Sequence, residues 1–104
     1  MPKQLLREKI LTLGVRYTNL NPEWFVRYEP NFTGNKKVIL YNKKNGRIYL
    51  LNELYYIFLC TFPSTVKFKY LTYEFYSSIS LGEIDDIYTK MLTNLVKLGV
   101  VRLG

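Results

Sequence analysis

The chain has 104 residues, with 15 Lys and Arg against 8 Asp and Glu. That length gives one domain, and 48% hydrophobic residues exclude a disordered chain. His is absent and Cys60 is the single Cys, so the usual base near neutral pH, an internal disulfide and a Cys- or His-built metal site fall away.

No cofactor is therefore expected. No apolar run approaches the ~18 residues of a membrane span, and the charged start lacks the apolar core of a signal peptide. A cytoplasmic protein with no membrane partner is expected. The net charge of +7 suits an acidic peptide or nucleic acid.

In chain order, residues 4–13 carry Leu5, Leu6, Ile10 and Leu13 at near-helical spacing, which predicts a short amphipathic helix stopped at Gly14. This segment is expected to pack on its own domain or to pair with a second copy in a homodimer. Trp24-Phe25-Val26-Arg27-Tyr28 reads as a strand. Lys37–Tyr41 and Arg47–Leu51 are β-prone runs joined by Asn42-Lys43-Lys44-Asn45-Gly46, a hairpin signal. Asn52 caps a helix that Pro63 ends. That helix is apolar on two sides, which predicts a central position and buries Cys60 as a small hydrophobe.

Residues 65–79 fit both an extended alternation (Val66, Phe68, Tyr70) and a helical stripe (Phe68, Leu71, Phe75). A helix over about 68–78 is predicted. Ser80-Leu81-Gly82-Glu83 is a capping box that starts a last helix with Ile84, Ile87, Tyr88, Met91, Leu95 and Leu98 as its apolar face. Gly99 stops it, and Val100-Val101 starts a tail that packs back. The order gives an α+β, winged-helix-like domain: a three-stranded antiparallel sheet followed by three helices, with an extra N-terminal helix.

Arg47-Ile48-Tyr49-Leu50-Leu51-Asn52-Glu53 before an apolar helix, and Leu95-Val96-Lys97-Leu98-Gly99-Val100-Val101 at the close, resemble PqqD-like proteins. These are the RiPP recognition elements, which bind leader segments of ribosomally made, post-translationally modified peptides. The resemblance spans about residues 24–103. The second helix departs from the family pattern in being rich in Tyr and Phe.

The resemblance implies an adaptor comprising an N-terminal extension (1–20) and a peptide-binding domain (21–104). The leader of a precursor peptide would add as a strand to the third strand and be presented to a modifying enzyme, for example a radical SAM enzyme, a cyclase or a protease. The implied peptide-binding residues are Arg47, Ile48, Tyr49, Leu50 and Leu51. The helix wheel offers Tyr88, Leu92 and Val96 as the opposite wall, with the Ile87 and Leu98 flank as the alternative.

The alternative function is a winged-helix DNA-binding protein. Glu83, Asp85 and Asp86 stand against it, because they fall where a recognition helix would meet phosphates. An enzyme is disfavoured because no nucleophile–base pair or Gly-rich phosphate loop can be built.

Overall fold

Alternation decides the sheet. In β1 (Trp24–Tyr28), Trp24, Val26 and Tyr28 are buried while Phe25 and Arg27 are exposed. β2 (Lys36–Asn42) and β3 (Ile48–Asn52) complete an antiparallel sheet in the order β1-β2-β3. The computed structural model describes residues 20–29, 31–76 and 78–101. The predicted helix over 4–13 lies outside them.

Three helices follow the sheet: α1 (Glu53–Thr61), α2 (Thr65–Phe75) and α3 (Leu81–Leu98). The architecture is the expected α+β arrangement of three antiparallel strands and then three helices. Leu20, the first described residue, bridges to Val101, and Asn21 N–H donates to the Val100 carbonyl at 2.8 Å. Val100 and Val101 are buried, so the start and end of the described chain close the domain together.

The hairpin turn is held by its own side chains. Asn42 Oδ1 accepts from the N–H groups of Lys44 (2.8 Å) and Asn45 (3.1 Å), and Gly46 supplies φ 74°. β2 extends the expected run by one residue at each end, to Lys36 and Asn42, and β3 is shifted by one, with Arg47 in the turn and Asn52 in the strand.

Asn52 Oδ1 caps α1 by accepting from Leu54 N–H at 3.0 Å. Every residue of α1 except Leu54 is buried, because the sheet packs on one side and the other helices on the other. Its two apolar sides are thus satisfied within one chain. Tyr28 stacks on Tyr56 at 4.5 Å, and Phe58 meets Phe62, Phe68 and Tyr88 at 4.9–5.9 Å.

α2 corrects the expectation of a helix over 68–78. It starts three residues earlier because Ser64 caps it, accepting from Lys67 N–H at 3.3 Å. The apparent β alternation at its start is overridden by the i, i+4, i+7 stripe of Phe68, Thr72 and Phe75, which is buried. Val66, Tyr70 and Tyr73 are left exposed. In α3, Ser80 accepts from Glu83 N–H at 3.2 Å, and Gly99 ends the helix at φ 81°. Ile84, Met91 and Leu95 reach the core.

Candidate peptide-binding edge

The backbone of β3 has two sides, and hydrogen bonding separates them. Asn42 N–H donates to the Arg47 carbonyl at 2.9 Å. Bonded and non-bonded pairs alternate along an antiparallel ladder. The bonded pairs are therefore Leu40–Tyr49 and Val38–Leu51, and the non-bonded pairs are Tyr41–Ile48 and Ile39–Leu50. The N–H and C=O groups of Ile48 and Leu50 thus point away from β2. Among the described residues no strand lies beyond β3. This is an open edge with two residues' worth of donors and acceptors.

Side chains alternate in the other direction. Tyr49 and Leu51 turn towards the helices, where Tyr49 meets Trp24 with ring centroids 5.8 Å apart. They line a cavity of about 320 Å³ with Tyr55 of α1 and Asn94, Lys97 and Leu98 of α3. Asn94 Nδ2 donates to the Tyr55 hydroxyl at 3.1 Å and ties the two helices beside the edge. Apolar rings and aliphatic chains form the walls, while Lys97 and Asn94 supply the polar contacts.

The sequence offers two flanks of α3 as the helix wall, and the structure separates them. Of the two flanks of α3, the one carrying Leu98 shares the cavity with β3. Tyr88 instead packs against Phe58 and Phe68, at 4.9 and 5.2 Å. Leu92 and Val96 line a separate hollow of about 430 Å³ with Thr93 and Lys97. Ile48 and Leu50 are exposed on the opposite sheet face, and Arg47 sits exposed in the turn. The candidate residues Tyr49 and Leu51 thus share a cavity with Leu98, while Tyr88 packs in the ring cluster and Leu92 and Val96 line the other hollow.

Lys36, Lys43, Lys44 and Arg47 are exposed on the hairpin. Lys37 is buried, and its ammonium donates to the Phe32 carbonyl. Glu53 also has a role that its first-turn position does not reveal. Its carboxylate is buried and accepts from the hydroxyls of Tyr28 and Tyr76, the latter at 3.3 Å. It joins β1, α1 and the end of α2.

Cys60 is buried, as its surroundings in the sequence suggest. Burial pushes its thiol from 9.0 up to about 11, and a hydrogen bond with Tyr56 acts in the opposite sense. The thiolate is the reactive form. Alkylation of Cys60 at pH 8 is therefore expected to run roughly a hundredfold slower in the native protein than in the urea-unfolded chain. Equal rates would show that the thiol is accessible. Among the described residues, no group of three His, Cys, Asp or Glu is placed to hold a metal ion, and no helix is long and apolar enough to cross a membrane.

Comparison of the chain with family models, curated proteins and solved structures gives no match.

Proposed function

We propose that the protein is a non-catalytic, cytoplasmic peptide-binding adaptor of the PqqD-like kind. It takes the leader segment of a ribosomally made precursor by strand addition to β3 and presents it to a modifying enzyme. The observation that carries this reading is the open backbone of Ile48 and Leu50 beside the Tyr49–Leu51–Leu98 cavity. A strand laid along this edge gains main-chain hydrogen bonds whatever its sequence. Alternate side chains enter the cavity and give selectivity.

Charge favours an acidic peptide. Lys97 borders the cavity, and Lys43, Lys44 and Arg47 stand exposed at the hairpin end. Such charges raise association rates more than they raise affinity.

Fluorescence titration tests the reading with short labelled peptides, selected from a displayed library for binding to the protein. The bound peptides are expected to be extended, apolar at alternate positions and enriched in Asp and Glu. Duplex DNA is expected to bind weakly and to be released by salt. Sequence-specific DNA binding that survives about 200 mM salt would overturn the adaptor reading.

A further inference from the structure

The sheet has a second apolar face. Phe25, Tyr41 and Ile48 form one row across the three strands, and Arg27, Ile39 and Leu50 form the next. The helices cover the opposite face. On this outer face Phe25 is 47% exposed, Tyr41 39%, Ile48 61% and Leu50 50%. A large apolar side chain carries on the order of 200 Å² of surface, so these four present roughly 400 Å² of contiguous apolar area. Patches of about 300–600 Å² are the largest on ordinary monomers and are often functional.

Positive charge predominates around this face. Arg27 lies within it, Lys43, Lys44 and Arg47 stand at its hairpin end, and Lys36 stands at the other end of β2. Glu29 pairs with Arg27, and Glu23 lies 3.8 Å from Lys44. Five cations against two carboxylates leave the rim at +3. Among the described residues, Lys36, Lys43 and Arg47 have no carboxylate within ion-pair distance.

We propose that this outer face docks an amphipathic helix of a partner protein, with an apolar stripe flanked by Asp and Glu. A helix is the usual cover for an apolar sheet face. Its acidic flanks match the rim. A second copy of this chain matches poorly, since each copy carries +7 and would set cation against cation. The exposed apolar area is also well below the ~800 Å² that each partner buries in a stable interface of standard size. The site is separate from the peptide edge: it uses side chains on the outer face, whereas strand addition uses the β3 backbone and the inner cavity. One small domain can therefore hold a peptide and a second protein at once.

Fluorescence anisotropy with two labelled synthetic helices tests this. Both carry Leu and Phe on one face; one is flanked by Glu and the other by Lys. The full chain is compared with the double variant Phe25→Ser, Tyr41→Ser, whose fold is checked by the near-ultraviolet dichroism of Trp24. The Glu-flanked helix is expected to bind the parent and to bind the variant at least about tenfold more weakly. The Lys-flanked helix is expected not to bind. Binding of the library-selected peptides is expected to be the same for parent and variant, so failure here leaves the edge reading standing. The proposal is overturned if the Glu-flanked helix does not bind, if both helices bind alike, or if the variant binds as the parent does. It is equally overturned if light scattering shows a dimer of the parent that the variant splits, because the occupant is then a second copy.

Discussion

Leu50→Pro lowers peptide affinity about tenfold or more while leaving the domain folded. Proline removes one backbone N–H. At Leu50 that N–H points to the open edge, since Leu50 and Ile39 form a non-bonded pair. The β2–β3 ladder therefore keeps its hydrogen bonds, and edge positions of this kind tolerate proline. A bound strand, however, loses a donor, and one of its carbonyls is left unsatisfied in the complex at a cost of about 1–3 kcal/mol. Two controls sharpen the test. Tyr49→Pro removes a donor from the bonded Leu40–Tyr49 pair and is expected to destabilise the fold itself. Leu92→Asp charges the flank of α3 away from the β3 cavity and is expected to leave peptide affinity unchanged. Titration of each folded variant with a selected peptide checks all three.

Phe58→Ala costs about 3–5 kcal/mol of unfolding free energy, measured by urea denaturation. Phe58 is fully buried in α1 and meets three rings, Phe62, Phe68 and Tyr88. It is the point at which all three helices and the α1–α2 junction converge. Truncation leaves a cavity bounded by rigid rings that cannot collapse into it. Domains of this kind have only about 5–15 kcal/mol in total, so the variant is expected to be partly unfolded at physiological temperature. Phe58→Leu keeps most of the volume and is expected to lose less than about 1.5 kcal/mol. Similar losses in the two variants would show that the ring cluster does not hold the helices together.

Local chemistry made much of the fold legible. The hairpin follows from Asn42, Asn45 and Gly46, whose bonds span only two to five residues. The caps at Asn52, Ser80 and Gly99 are equally local. α2 was harder, because Val66, Phe68 and Tyr70 alternate as a strand would, while the burial of Phe68, Thr72 and Phe75 that decides the matter is tertiary.

The candidate site was legible to the strand but not to the helix wall. Both flanks of α3 are apolar enough to serve, and which one meets β3 depends on how the helix is placed over the sheet. The tie that Glu53 makes is not legible in the sequence, because its hydroxyl donors lie 25 and 23 residues away. The outer apolar face did leave a trace: Trp24-Phe25 in β1 and Leu40-Tyr41 in β2 are apolar at consecutive positions, so both sheet faces carry apolar groups. Alternation alone would place only one of each pair inside.

Amide hydrogen exchange at Ile48 and Leu50, with and without a selected peptide, tests strand addition most directly. These two N–H groups point to the open edge, whereas those of Tyr49 and Leu51 already bond to β2. Saturating peptide is expected to slow exchange at Ile48 and Leu50 about tenfold or more, with the larger change at those two positions. Bound peptide that leaves exchange at Ile48 and Leu50 as fast as in the free protein would contradict strand addition at β3.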